Sequence, residues 1–271
     1  MILHNIKIYC VLCKLERAVA INSVNKAISI LNCFTSDAPV QGVTDISRMT
    51  GFTPSTVSRL LSTLESRGVV QKAGGQGKYQ LGYQMYLWGL ISKDSNNLAS
   101  IAKPVMQTLR DKSGETVALY VLAGNKRTCL ARFASKHNIG MVGSLGGEYP
   151  LHAGASGRVL MAYIPEKKRK KIIEQAPLKK FTANTVTDPV QLEKKLAEIR
   201  KNGYAVSREE REPGGYSIVA PVRNAEGSVI ASLCIGGPVF RLSEEQERQY
   251  IKSVLEASQE ISAKMGYRGD K

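Results

Sequence analysis

The chain has 271 residues, of which 43% are apolar, and its formal charge is +15 because 38 Lys and Arg outnumber 23 Asp and Glu. This apolar fraction excludes an intrinsically disordered protein, and no apolar run is long enough to cross a membrane, so no membrane partner is expected. The length predicts two domains, and the positive charge favours a polyanionic partner such as nucleic acid.

Residues 1–20 precede the first clear helix signal in the chain. They lack the layout of a signal peptide, and they carry no strong cap or turn signal. We expect them to form a disordered or dispensable extension.

The chain has five cysteines, at positions 10, 13, 33, 129 and 234. The odd number and the wide overall spacing argue against a disulfide framework. Cys10 and Cys13 form a single Cys-x-x-Cys pair, and no second pair follows at the distance that zinc sites use. We therefore expect reduced thiols in a cytoplasmic protein, and neither a metal nor a cofactor.

Two short helices joined by a tight turn are predicted between residues 42 and 68. Gly51 is suited to close the first helix in a left-handed conformation. Thr53 suits the N-cap of the second helix, and Pro54 suits its first turn. The first helix has an apolar face of Val43, Ile46 and Met49. This spacing is typical of a helix-turn-helix, in which the second helix enters the major groove of DNA.

The second helix has one apolar face and one face of small or basic side chains. Its apolar face comprises Val57, Leu60, Leu61 and Leu64. The opposite face has no bulk that would obstruct a close approach to a groove. The residues predicted to contact DNA from this helix are Thr53, Ser55, Thr56, Ser58, Arg59 and Ser62.

A basic hairpin follows the second helix over residues 69–81. Its glycine-rich tip is flanked by Lys72 and Lys78, and the absence of bulk there allows a close approach to a phosphate backbone. The hairpin thus resembles the wing of a winged helix. The alternative is a plain three-helix domain with a surface hairpin.

The remaining chain is divided into a linker helix over 83–97, a second domain over 98–265 and a tail over 266–271. The linker has an aromatic and aliphatic face that is wide enough to pair with a second subunit. In the second domain, helices and strands alternate irregularly and include hairpins, which indicates an α+β fold on an antiparallel sheet. One of its strands is expected at 139–142.

Small residues begin a helix at Gly154–Gly157, where open backbone N–H groups and the helix dipole favour an anion. The alternative is that they only allow close packing of the helix on the sheet. His152, just before this helix, is interpreted as a structural histidine. The charged segments 167–171 and 208–212 are interpreted as solvated surfaces.

Several segments together resemble the IclR-type bacterial transcriptional regulators. The N-terminal segments are Ser23–Leu31, Thr50–Leu61 and Lys78–Gly82. The C-terminal segments are Gly114–Val117, Tyr149–Ala153, Gly157–Leu160, Ser217–Val222 and Gly227–Leu233, followed by Gly237 and Pro238. The resemblance covers residues 22–265, in the same order and spacing.

This resemblance implies an N-terminal winged helix-turn-helix joined by a linker helix to a GAF-like α/β effector-binding domain. It also implies homodimers, which pair into dimers of dimers in many relatives, and a small organic acid as the effector. By position in the family motifs, the effector site comprises Met141, Val142, Leu145, Gly154, Ala155, Ser156, Ser207, Gly215, Ser217, Cys234 and Gly236. Such a site has no fixed charge and suits a small monoanionic acid.

The predicted function is a sequence-specific transcriptional regulator that binds a double-stranded DNA operator and responds to a small organic acid. One alternative is a metabolic enzyme, although the sequence contains no Walker loop, no nucleophile elbow and no paired acid and base. Another alternative is a scaffold that uses its winged helix for protein contacts. No catalytic residue is predicted.

Overall fold

The computed structural model describes residues 21–35, 38–74, 77–95, 97–140, 143–175 and 177–269, with the backbone alone for 92–95 and 97. The predicted extension, including Cys10 and Cys13, lies outside the described residues, as do Met141 and Val142. The described residues form two compact units, which divide between Leu90 and Ile91.

The first unit combines helices with a small antiparallel sheet. Its elements are α1 (Asn22–Leu31), β1 (Gln41–Gly42), α2 (Val43–Thr50), α3 (Pro54–Ser66), β2 (Val70–Lys72) and β3 (Lys78–Leu81), and α4 (Tyr83–Ser95) begins in it. The strand order is β1-β3-β2. This is a winged helix-turn-helix, with β2 and β3 as the wing.

Local signals set the ends of α2 and α3 as predicted. Gly51 ends α2 with a φ of 72°, a conformation that glycine adopts without strain. The Thr53 hydroxyl caps α3 by accepting a hydrogen bond from the Thr56 N–H, and Pro54 is the first residue of the helix.

The core of the first unit differs from the prediction at one position. Ile46, Val57 and Leu61 are fully buried as expected, but Met49 is half exposed. The same core cluster also contains residues from α1 and the wing, including Ile30 and Tyr79. The three-residue spacing in α2 could not reveal these more distant partners.

The second unit is built on one antiparallel sheet. Its helices are α5 (Asn97–Ser113), α6 (Ala155–Ala162), α7 (Glu166–Gln175), α8 (Pro189–Asn202) and α9 (Glu244–Lys264). Its strands are β4 (Thr116–Ala123), β5 (Lys126–Phe133), β6 (Glu148–Pro150), β7 (Ala205–Arg208), β8 (Gly215–Arg223) and β9 (Val229–Pro238). The strand order is β6-β5-β4-β9-β8-β7, and every neighbouring pair is antiparallel.

Each face of this sheet is covered by helices. Helices α5 and α9 pack on one face through a cluster that includes Met106 and Ile261. On the other face α6 packs on the sheet and α8 packs on α6, and a cluster that includes Val159, Ile172 and Leu196 joins α6, α7 and α8. The predicted α+β fold is therefore confirmed.

The strand expected at 139–142 is wrong within the described residues. Ile139 and Gly140 form no strand, and Ile139 is largely exposed. The strand next to β5 is instead β6, whose Tyr149 faces Arg127 in the register. An edge strand has one unpaired side and tolerates Pro150, so its sequence lacks the apolar run by which strands are recognised.

No helix among the described residues is long and apolar enough to cross a membrane.

Gly82 provides a test of the packing between the wing and α3. Its N–H donates to the Val69 carbonyl at 2.8 Å, and a Cβ placed on it would lie 2.1 Å from the Gly68 carbonyl oxygen. We expect Gly82→Ala to destabilise the first unit by about 1–3 kcal/mol, as overpacking does. Urea denaturation would measure this loss.

Gly89→Ala in α4 is the matched control, because no heavy atom of the described residues, apart from the backbone of its own helix, lies within 4 Å of its added methyl group. This variant should unfold at the same urea concentration as the parent or a slightly higher one. Equal stability of Gly82→Ala and the parent would contradict the close packing at Gly82.

Candidate functional sites

The outer face of α3 carries the predicted DNA contacts. Ser55, Ser58, Arg59 and Ser62 are exposed, and Thr56 is half-buried. The Thr53 hydroxyl is 2.9 Å from that of Thr56 and 3.1 Å from that of Ser55, so these three groups also bond to one another. Arg59 forms no ion pair within the described residues, which leaves its guanidinium available to an external anion.

Helix α1 contributes to the same face, which the sequence analysis missed. Asn22, Ser23 and Lys26 line a groove of about 670 Å³ together with residues of α3, among them Arg59 and Ser62. Asn22 and Lys26 are four residues apart and so lie on one side of α1, a signal that could have been used. The groove thus has a basic side chain on both walls.

The wing presents its two lysines to solvent. Lys72 and Lys78 lie at the ends of β2 and β3 that lead to the tip, and both are exposed. The ammonium of Lys72 is 3.9 Å from the Glu65 carboxylate, a long and exposed pair that contributes little to stability. The structure therefore places both lysines where they could contact phosphates.

The second unit contains a cavity of about 70 Å³ between the sheet and the start of α6. Its floor follows from strand register, because Ser217 lies opposite both Ser207 on β7 and Gly236 on β9. Residues two apart on a strand share a face, so Cys234 joins Gly236 on this floor. The predicted effector residues that line the cavity are Gly154, Ser156, Ser207, Gly215, Ser217, Cys234 and Gly236.

The structure does not bring the other predicted effector residues to this cavity. Ala155 is fully buried and does not line it. Leu145 is 59% exposed and does not line it either. Met141 and Val142 lie outside the described residues. Gly143 lines the cavity, so this segment does reach it, but Leu145 does not form the wall that family position assigned to it.

The expectation of a site without fixed charge is wrong, because Arg127 lines the cavity. The side chain of Arg127 is almost fully buried, and it donates from Nη1 to the carbonyls of Pro150 and of Ala153, the latter at 3.0 Å. The rings of Tyr120 and Tyr149 lie 5.5 and 5.4 Å from its guanidinium carbon. Burial lowers the pKa of Arg127 to about 10.

The charged segment 208–212 is only partly the solvated surface expected, since Arg208 and Glu212 are exposed but Glu210 is not. Glu210 is buried, forms an ion pair with the buried Arg158 of α6 and accepts a hydrogen bond from the Gly154 N–H at 3.3 Å. Thr185 also holds this segment in place, because its hydroxyl donates a hydrogen bond to the Glu210 carbonyl at 2.6 Å. Burial lowers the pKa of Arg158 to about 10, so this cation needs a counter-charge.

A signal for this ion pair was present in the sequence. Arg158 stands in α6 directly before Val159, Leu160 and Met161, and a charge in such an apolar helix calls for a buried partner. The partner itself, 52 residues further along the chain, could not be identified from sequence alone.

The lysine-rich segment is only partly a solvated face. Lys167, Lys168, Lys170 and Lys171 are exposed as expected. Arg169 is buried instead and donates to the Glu193 carboxylate of α8 at 2.8 Å and to the Ile164 carbonyl at 2.9 Å. It therefore joins α7 to α8.

His152 and Cys234 are both buried in the second unit. The Nε2 of His152 is 2.9 Å from the Lys179 carbonyl oxygen, and burial lowers the pKa of this imidazole. Burial raises the pKa of the Cys234 thiol to about 11, so it stays protonated at neutral pH. Within the described residues, no three or more His, Cys, Asp or Glu come together as a metal site.

Two family models match the two units of the chain. The IclR helix-turn-helix domain matches residues 23–74, and the C-terminal domain of the bacterial transcriptional regulator IclR matches residues 92–263. Both matches agree with the winged helix-turn-helix and the α/β unit described above. The chain therefore belongs to the IclR family and is a DNA-binding transcriptional regulator.

Individual relatives match over nearly the whole chain. The transcriptional regulator KdgR of Escherichia coli is 32% identical over 92% of this chain and 94% of its own length. The IclR of Thermotoga maritima is 30% identical, with a TM-score of 0.68 over 91% of this chain and 99% of that one. An IclR homologue from Microbacterium hydrocarbonoxydans, solved with 4-hydroxybenzoate, is 26% identical, with a TM-score of 0.78 over 90% and 98%.

The Arg158–Glu210 pair yields a stability prediction. We expect Glu210→Gln to cost about 3–5 kcal/mol of unfolding free energy, because it leaves the Arg158 guanidinium buried without a counter-charge. Adding Arg158→Met should recover part of this loss. Denaturant unfolding of both single variants and the double variant would measure the coupling.

Glu166→Gln removes a carboxylate from a pair with Lys170 that is exposed on both sides, and it serves as the control. It should leave the unfolding transition unchanged. If Glu210→Gln behaved like Glu166→Gln, the buried pair would not be stabilising the loop.

Proposed function

We propose that a small organic acid bound in the cavity of the second unit modulates the affinity of this regulator for its double-stranded DNA operator. The observation that supports this most directly is the cavity itself, which is lined by charged and hydroxyl side chains as well as apolar ones and lies against the start of α6. Its volume of about 70 Å³ suits roughly five to seven water-sized groups, fewer than a nucleotide or a sugar would need. The 4-hydroxybenzoate in a relative supports an acid as the kind of ligand.

The proposed DNA contacts fall into two groups. Arg59, flanked by the small side chains Ser55 and Ser62, is positioned to read base edges. Lys72 and Lys78 on the wing are positioned to contact phosphates without reading sequence. Thr53, Thr56 and Ser58 complete the proposed face, and Lys26 adds a positive charge from α1.

We propose a homodimer at least, because two reading helices on a two-fold axis match a duplicated half-site. Helix α4 supports this proposal through apolar side chains that it exposes: Tyr83, Tyr86, Leu87, Trp88 and Leu90. A dimer of dimers remains part of the proposal through the family resemblance. The linker helix over 83–97 and the domain limits 21–82 and 98–265 are also proposals.

We further propose that the protein is not an enzyme and acts in the bacterial cytoplasm, where its operator lies. The relatives that match it over nearly its full length are named as transcriptional regulators, which supports both statements.

Substitutions on the proposed DNA face should separate specific from general contacts. Arg59→Ala should cost about 1–3 kcal/mol of affinity for the preferred duplex and little for random DNA. Lys72→Ala and Lys78→Ala should weaken binding to all sequences and lower the salt slope by about 1 each. A duplex selected from a randomised pool would serve as operator in fluorescence anisotropy.

Lys168 is an exposed lysine of α7, so Lys168→Ala is the matched control. It should change neither the operator affinity nor the salt slope. If Arg59→Ala bound the operator as tightly as the parent at matched salt, α3 would not be the helix that reads the bases.

The acid response has a thermodynamic signature of its own. An acid that changes operator affinity by some factor must have its own affinity changed by operator through the same factor. We expect calorimetric titration of the acid, with and without the selected duplex, to give the ratio that anisotropy gives for the duplex. Operator affinity that is independent of every acid tested would contradict the proposed regulation.

A further inference from the structure

We infer that Arg127 is the anchor for the carboxylate of the effector, and that the effector is a short-chain acid with a single negative charge. This inference rests on the proposed function, because it assigns a ligand class to the same cavity. It moves the anion away from the start of α6, where the sequence pattern had placed it.

The first argument is that the charge of Arg127 has no counter-charge. Only 4% of the residue is exposed, and no carboxylate among the described residues lies within ion-pair distance of it. Its Nη1 is engaged by the Pro150 and Ala153 carbonyls, whereas its buried Nε has no partner in the described part of the chain. A buried cation and an unsatisfied N–H are both costly, and an anion would relieve both.

Neighbouring groups that could ionise stay neutral. Burial raises the pKa of the Tyr120 hydroxyl, so this ring beside Arg127 carries no phenolate charge near neutral pH. Burial likewise keeps the Cys234 thiol protonated. The rings of Tyr120 and Tyr149 therefore support the guanidinium by cation–π contact, which does not neutralise it.

The second argument is the balance of charge around the cavity. Glu210 pairs with Arg158, and Glu212 pairs with Arg211 at 2.5 Å. Arg127 also lines the cavity, and it is the cation there for which no carboxylate partner is found among the described residues. One excess positive charge is matched by one negative charge, and a dianion would bring a second charge that must be buried unpaired.

The third argument is that the start of α6 already holds an anion. The Gly154 N–H donates to the Glu210 carboxylate, and Ala155 does not line the cavity. The small residues there have another explanation. Gly154 has a φ of 89°, which favours glycine, and a Cβ on Gly157 would clash with the Leu151 carbonyl and lie 2.7 Å from Nη1 of Arg127. Gly157 thus leaves room for the Leu151 backbone and for the guanidinium.

The size of the cavity limits the acid. At about 70 Å³ it holds roughly five to seven non-hydrogen atoms, the size of propionate, lactate or pyruvate. An aromatic acid is larger than these, and its binding tests this limit. The hydroxyls of Ser207 and Ser217 on the floor suit a ligand with a hydroxyl or keto oxygen beside its carboxylate.

Calorimetry on the full-length chain would test the inference without any substitution. The titrants are acetate, propionate, lactate and pyruvate, with propionamide and lactamide as neutral analogues, malonate as the dianion and 4-hydroxybenzoate as the large acid. We expect at least one short monocarboxylate to bind, and its amide, malonate and 4-hydroxybenzoate to bind at least tenfold more weakly. If the amide bound as tightly as its acid, or no monocarboxylate bound, the inference would be overturned.

Variants of one strand would then locate the anchor. Arg127→Gln should weaken the monocarboxylate at least tenfold, and Arg127→Lys, which keeps a positive charge, should weaken it less. Lys126→Gln is the matched control, because it removes an exposed charge next to Arg127 in sequence and should leave binding unchanged. Circular dichroism would check that each variant folds, and if Arg127→Gln does not, the amide comparison on the parent chain decides.

The two proposals fail in different ways. Equal acid binding by a folded Arg127→Gln and the parent would refute the anchor and leave acid regulation standing. Acid binding that depends on Arg127 but does not change operator affinity would support the anchor and refute the regulation.

Discussion

The buried ion pair between Arg158 and Glu210 is the interaction on which the second unit depends. It joins the middle of α6 to the loop between β7 and β8, and Glu210 also accepts a hydrogen bond from the Gly154 N–H, so one carboxylate fixes two elements. Residues 210–212 of this loop line the cavity. Because a buried carboxylate cannot lose its partner cheaply, the cavity wall and the start of α6 are held together.

Arg127 lies in the same region as this ion pair, but it has no carboxylate partner among the described residues. Gly157 leaves room for its guanidinium against α6, and two carbonyls accept hydrogen bonds from one of its nitrogens. Its positive charge is thus fixed in place before any ligand arrives, and this preorganisation lowers the cost of binding an anion. The two arginines differ in that one is neutralised within the chain and the other is not.

Sequence reasoning succeeded where the cause is local. The Thr53 cap and the first-turn Pro54 act within four residues, so α3 begins where predicted, and the Ser243 capping box at the start of α9 is an equally local signal. It failed where the cause is distant: 26 residues separate Arg127 from its partner Ala153, and neither the burial of Arg127 nor its lack of a counter-charge has a sequence pattern. Leu145 was assigned by family position, which carries no information on the exposure of this particular side chain.

The two edge strands of the six-stranded sheet have a consequence for how copies of this protein associate. β6 has three residues and ends in Pro150, which lacks an N–H to offer a neighbour, and β7 has four residues. Such short edges are poor templates for strand addition, which protects the folded chain from edge-to-edge aggregation. Contact between copies through the edges of this sheet is thus disfavoured, and the surfaces left for association are those of the helices.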